Sequence, residues 1–166
     1  MIILGIDPGL AIVGWGVLHS ERGKITPIAY GAITTPAHTD VEARLLTIAN
    51  DLEAIITKYK PDEMAVEELF FNTNTTTGIS VAEARGVILL TAHRLGVKIS
   101  EYTPLQVKQA VVGYGKAEKK QVIAMVTSIL KLDKPPKPDD TADAIAIAIC
   151  HSHSSSSAMG KYFNKR

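Results

Sequence analysis

Asp140 and Asp143 stand three residues apart at the head of an Ala/Ile-rich run, Pro138-Asp139-Asp140-Thr141-Ala142-Asp143-Ala144-Ile145-Ala146-Ile147-Ala148-Ile149. On a helix, positions i and i+3 put both carboxylates on one face. Like charges held that close repel, so helix formation alone does not account for the pair, whereas a divalent cation between them would. Asp139 competes for the same role, because Asp139 and Asp143 at i and i+4 also share a face. The plain alternative makes Asp139 or Asp140 an ordinary N-cap and Asp143 a solvated acid. Pro138 and the aspartates mark a helix start, where free N–H donors favour negative charge. The alternation of Ala with Ile beyond them mimics a strand, but the Ala content and the length favour helix.

Further acids end two apolar runs. Met1-Ile2-Ile3-Leu4-Gly5-Ile6 has no polar alternation, which predicts a central strand covered on both faces, and Asp7-Pro8-Gly9 turns the chain. Asp7 then sits at the carboxyl end of a strand, where open α/β sheets place their ligands. A carboxylate beside a buried strand is costly to desolvate unless it gains a partner; a turn-capping Asp is the alternative. Met64-Ala65-Val66-Glu67-Glu68-Leu69 reads as a second such strand. Strand parity puts Glu67 and Glu68 on opposite faces, so the local pattern leaves both open. If the two strands are parallel neighbours, their acids meet at one edge, and the final helix can bring Asp140 and Asp143 there. Four carboxylates converge only around cations, and hard oxygen donors with open positions select Mg²⁺ or Mn²⁺. Two such ions about 3.5–4 Å apart stabilise the attacking and leaving oxygens of phosphodiester hydrolysis. The sequence offers no nucleophile triad and no Walker-type phosphate loop as a competitor.

The elements that must position these acids are legible in outline. Gly14 to His19 and Lys24 to Thr34 read as strands joined through Ser20-Glu21-Arg22-Gly23, giving an antiparallel meander with the first strand. Val41 to Tyr59 is an amphipathic helix that Asp40 can cap and Pro61 ends. Phe70 and Phe71 lead into the polar loop Asn72 to Thr77, either folding back onto the core or stacking on an unpaired base. Ser80 to Leu95 is a helix apolar nearly all round. One face suits the sheet and the other a second subunit, with Ala82, Arg85, Gly86 and Leu89 as candidate interface residues. Gly96 ends it, and Val97 to Tyr102 is a short strand. Thr103-Pro104-Leu105-Gln106 matches a capping box opening a helix to about Val112; Lys119 to Leu130 is another helix. Lys108, Lys116, Lys119 and Lys120 cluster around the break Gly113-Tyr114-Gly115, either as a solvated basic surface or as contacts to a nucleic-acid phosphate backbone. A meander followed by βα units predicts an α/β fold: a five-stranded mixed sheet flanked by helices on both faces.

Composition sets the limits. A chain of 166 residues, 46% hydrophobic and 21% charged, suits one globular domain with a real core. A net charge of +1 leaves any attraction for nucleic acid to a local patch. Cys150 stands alone, so no internal disulfide forms and a cytoplasmic location is expected. The N-terminus has no basic leader, and no stretch reaches the ~20 apolar residues of a membrane span. His151 and His153 are a weak metal pair, and the serines and basic residues that follow predict a mobile tail over 154–166 behind a single domain over 1–153.

Gly5-Ile6-Asp7-Pro8-Gly9, Ala65-Val66-Glu67-Glu68-Leu69-Phe70, Ala84-Arg85-Gly86, Gln106-Val107-Lys108-Gln109 and Asp140-Thr141-Ala142-Asp143-Ala144 resemble, in order, the RuvC family of bacterial Holliday-junction resolvases. The resemblance spans about residues 2 to 153. It implies a ribonuclease H-like fold and a homodimer that cuts four-way DNA junctions with Mg²⁺, in recombination and repair, beside the RuvA–RuvB branch-migration complex. It selects Asp7, Glu67, Asp140 and Asp143 as catalytic, metal-binding acids, Asp140 being His in some relatives. It also implies that Phe70 stacks at the junction centre and that Lys108 and Lys119 contact DNA. Lys119-Lys120 is a doublet that permits a shift of one. Two ions, water activation and 5′-phosphate products complete what is implied. An RNA-directed relative and a catalytically idle DNA-binding protein remain alternatives. An actin-like ATPase would need a second nucleotide-binding domain that this length excludes.

Overall fold

A computed structural model describes residues 1–69 and 75–156 of the chain. The apolar N-terminal run forms β1 (Ile2–Asp7), the middle strand of a five-stranded sheet in the order β3-β2-β1-β4-β5. Ile3, Leu4 and Ile6 are fully buried, so both faces of β1 are covered as the unbroken run requires. β2 (Ile12–Glu21) and β3 (Lys24–Thr34) complete the meander through a two-residue turn at Arg22 and Gly23, whose φ angles of 51° and 79° suit the twist of a tight hairpin. β4 (Glu63–Glu67) pairs with β1 in parallel, and β5 (Lys98–Tyr102) pairs with β4 in parallel, so the sheet is mixed.

α1 (Val41–Tyr59) and α2 (Thr75–Arg94) cover one face. Ile48, Leu52 and Ile56 of α1 and Ala84, Ile88 and Ala92 of α2 pack against Leu4, Ile6, Val17, Met64 and Val66. Asp40 occupies the N-cap position, but its carboxylate makes no capping hydrogen bond. α2 begins at Thr75, inside the expected loop, and it is not covered on every side: Ile79 and Leu90 stay 59% and 67% exposed.

The opposite face holds α5 (Asp139–Ser156), itself overlain by α3 (Pro104–Val112) and α4 (Lys119–Ile129). From Ala144 to His151 no residue of α5 is more than 2% exposed. That explains the strand-like alternation: a helix sandwiched between a sheet and two helices has no polar face to mark its period. Each fully buried Ile contributes about 1.5–3 kcal/mol relative to exposure. The close approach of α5 depends on missing side chains. A methyl group at Gly5 would overlap the Ala144 carbonyl and lie 2.8 Å from Ala148 Cβ, and one at Gly14 would overlap the Asp140 carbonyl. α5 runs to Ser156, three residues past the boundary expected at 153, because His151 and Ser152 are buried and Ser152 Oγ lies 2.7 Å from Ser20 Oγ. Residues 157–166 of the expected tail lie outside the described residues. Among the described residues no helix is long and apolar enough to cross a membrane.

Candidate active site

The carboxyl ends of β1 and β4 and the first turns of α3, α4 and α5 surround a cavity of about 250 Å³ lined by Asp7, Glu67, Pro104, Val107, Lys108, Lys119, Val122 and Asp143. Each polar lining residue has a local reason for its place. Asp7 is the last residue of β1, on the same strand face as Gly5, which α5 covers. Parallel pairing sets Val66 beside Ile6, so Glu67 follows on β4 as Asp7 follows on β1. Glu63, Ala65 and Glu67 share the α5 side of β4 by parity, whereas Met64 and Val66 pack with α1 and α2. Glu67, not Glu68, therefore faces the cavity; the Glu68 amide donates to the Tyr102 carbonyl at 2.8 Å.

Thr103 closes the expected capping box: its hydroxyl accepts from Gln106 N at 3.2 Å, and its own amide donates to Gln106 Oε1 at 2.8 Å. This fixes the start of α3 and hence Val107 and Lys108 on the cavity wall. Glu118 caps α4, with its amide on Gln121 Oε1 at 2.8 Å, so Lys119 falls in the first turn beside the first turn of α5. Its ammonium lies 2.9 Å from Asp143 Oδ2 and 3.9 Å from Asp139 Oδ2.

The electrostatics are those of an acid cluster short of positive charge. Burial, then the neighbouring charges of Glu67, Asp143 and Asp140, push the Asp7 carboxyl up to about 8; Lys119 only partly offsets this. Burial, then Asp143, pushes Glu67 up to about 7 against Lys108 and Lys119. Burial also raises Asp143 despite its bond to Lys119. Burial disfavours the Lys119 charge, but Asp143, with Asp139 and Asp140, outweighs it and raises the pKa. Among the described residues no three acid, His or Cys side chains are gathered at coordination distance of one point; Lys119 ion-pairs with Asp143 instead. The donor set nevertheless fits a hard divalent cation. Three carboxylates from three separate elements line one cavity, and burial first, then the neighbouring acids, raises the pKa of two of them toward neutrality.

The remaining expected residues fall elsewhere. Asp140 is not on the cavity wall, though its charge reaches Asp7, and Asp139 is exposed. Lys116 is exposed, and Lys120, 82% exposed, turns to Glu118 at 2.9 Å. Phe70 lies outside the described residues. On α2, Gly86 is exposed while Ala82 and Leu89 are half-buried. Arg85 is engaged within the chain, with Nε donating to the Glu67 carbonyl at 3.2 Å and Nη2 paired with Glu101. Sequence reasoning missed this contact, as it missed the Val107 and Val122 wall, because an Arg or Val at helical spacing carries no mark of its partner. It also missed a buried network in which His151 Nδ1 lies 2.9 Å from the Tyr102 hydroxyl. There His151 Nε2 lies 3.0 Å from Glu63 Oε2, in ion-pair range but without hydrogen-bond alignment. His151 is thus a core residue rather than half of a metal pair with His153.

Residues 3–151 match the family described as crossover junction endodeoxyribonuclease RuvC. The RuvC of Heliobacterium modesticaldum is 59% identical over 146 residues, covering 88% of this chain and 90% of that protein. The Thermus thermophilus RuvC structure superposes with a TM-score of 0.85 at 34% identity, over 93% of this chain and 95% of that one. The same Thermus protein in complex with a Holliday junction substrate superposes with a TM-score of 0.88 at 34% identity, over 93% and 94% of the two chains. The mixed sheet and its helical layers are accordingly ribonuclease H-like. With residues 3–151 matched in sequence and 93% of the chain superposed in three dimensions, this chain belongs to the RuvC family of crossover junction endodeoxyribonucleases.

Proposed function

We propose that this chain resolves four-way DNA junctions in homologous recombination and repair by metal-dependent phosphodiester hydrolysis. The carrying observation is the meeting of Asp7, Glu67 and Asp143 in one cavity at the carboxyl edge of the parallel strands β1 and β4. In this reading those three acids, together with Asp140, whose charge reaches Asp7, hold two Mg²⁺ ions, for which Mn²⁺ can substitute. Bound there, the metal supplies Lewis acidity at the phosphate and lowers the pKa of water.

The chain's own residues do the rest. The buried carboxylates of Asp7 and Glu67 offer charge that the fold leaves uncompensated, which favours cation capture. Val107, Val122 and Pro104 form an apolar wall that restricts water around the acids. Lys108 and Lys119 border the cavity and are suited to hold the scissile strand by its phosphates, with Lys116 and Lys120 further along the basic surface. Phe70 stacks on a base at the junction centre. A C2 homodimer places one site on each of two like strands, so paired symmetric cuts leave 5′-phosphate ends. The exposed Ile79, Gly86 and Leu90 along α2 favour that helix as the pairing face. The enzyme works in the cytoplasm with the RuvA–RuvB complex.

The test is cleavage of a labelled mobile four-way junction against a matched linear duplex, with Mg²⁺ or with EDTA. Paired nicks bearing 5′-phosphates, in the junction alone and with metal alone, are expected. Equal cutting of the duplex, or cutting in EDTA, refutes the proposal.

A further inference from the structure

We propose that Arg85 is a positioning residue for Glu67, holding the peptide that carries this carboxylate; the proposal rests on the reading of Glu67 as a metal-binding acid. The Glu68 amide turns toward β5, where it donates to the Tyr102 carbonyl at 2.8 Å. A trans peptide sends the Glu67 carbonyl the opposite way, toward β1. The β1–β4 ladder has already ended there, at Ile6 and Val66. Arg85 Nε supplies the partner at 3.2 Å. Its Nη2 grips Glu101, the penultimate residue of β5, so one guanidinium spans the carboxyl ends of both strands.

This contact differs from an ordinary surface ion pair. The Arg85 side chain is 16% exposed and reaches in from α2, on the sheet face opposite the cavity. Two separate N–H groups are used in a fixed fork, which a lysine cannot reproduce. Without the guanidinium, the carbonyl side of the Glu67–Glu68 peptide loses its donor, and the peptide can pivot about the one bond left to it, from the Glu68 amide to the Tyr102 carbonyl. Glu67 stands at that peptide, so its carboxylate leaves the cavity register set by Asp7 and Asp143. Outer partners that orient a ligating group change metal affinity or activity by about 10–100-fold when removed.

The experiment compares Arg85→Met, Arg85→Lys and Glu67→Gln in the full chain. Mn²⁺ affinity is read by electron paramagnetic resonance without DNA, kcat at saturating junction, junction affinity in EDTA, and Tm. Arg85→Met is expected to lose about 10–100-fold in both Mn²⁺ affinity and kcat, with junction affinity unchanged. Arg85→Lys, which can reach the carbonyl or Glu101 but not both, falls between, and it carries the test if Arg85→Met does not fold. A folded variant with lowered Tm but intact Mn²⁺ affinity and kcat overturns the proposal and leaves an Arg85 that only braces the fold. In that case an impaired Glu67→Gln shows that the functional reading survives. A Glu67→Gln protein with full Mn²⁺ affinity and full cleavage overturns both.

Discussion

Replacing Gly5 with Ala tests whether helix packing sets the acid cluster. The added methyl would lie 2.8 Å from Ala148 Cβ, 0.6 Å inside ordinary van der Waals contact at 3.4 Å, and would overlap the Ala144 carbonyl outright. Neither obstacle is a flexible side-chain tip, so α5 must lift from β1 by more than that shortfall. Overpacking of this kind costs about 1–3 kcal/mol, and the lower unfolded-state freedom of Ala returns about 0.5–1 kcal/mol. A net loss of about 0–2.5 kcal/mol lowers Tm by up to about 10 °C in a chain of this size. Asp143 adjoins Ala144, so its carboxylate moves away from Asp7 with the helix. A misplacement near 1 Å costs about 100-fold in rate. Single-turnover cleavage of a synthetic junction and circular-dichroism melts read the two effects. A Gly5→Ala protein with unchanged cleavage and unchanged or raised Tm would show that α5 does not need this contact and would refute the reasoning.

Asp7→Asn should abolish cleavage, keep junction binding and raise Tm in metal-free buffer at pH 8, by about 2–4 °C for each kcal/mol of relieved repulsion. The folded carboxyl titrates near 8 against an ordinary 3.8, so its stabilising contribution is full below pH 3.8 and is lost as pH rises toward 8. The variant should flatten that fall, and a Tm lowered at pH 8 would contradict it. Lys108→Ala and Lys119→Ala should each weaken junction binding and reduce the log–log salt slope by about 0.9; an unchanged slope would make them ordinary surface charges. Burial depresses His151 below 6.5 against the pull of Glu63, so the stability it contributes is present above pH 6.5 and is lost as pH falls through the folded value. His151→Phe should remove that acid limb while costing about 1 kcal/mol at pH 7.5, the worth of one hydrogen bond, because the Tyr102 hydroxyl loses His151 but keeps Ser154 as a partner. Urea titrations showing the same acid limb in the variant would rule His151 out as its source.

Short-range pattern was enough for much of this chain. β3 (Lys24–Thr34) and α1 (Val41–Tyr59) occupy the expected residues, because a tight turn and an amphipathic stripe are encoded within a few neighbouring side chains. The Thr103 capping box and the acids at the ends of β1 and β4 were visible for the same reason. Pattern could not choose between Glu67 and Glu68, since parity separates two faces without saying which one α5 covers. That choice follows from the parallel register of β1 and β4, set between segments about sixty residues apart. Likewise, of two adjacent lysines, Lys119 borders the acids because Glu118 caps α4 there. Arg85 reads as a candidate interface residue on the outer face of its helix, yet within the chain it turns inward to the unpaired carbonyl at the end of β4. Periodicity records that a residue is buried; only the summed packing of distant segments names the neighbour it is buried against.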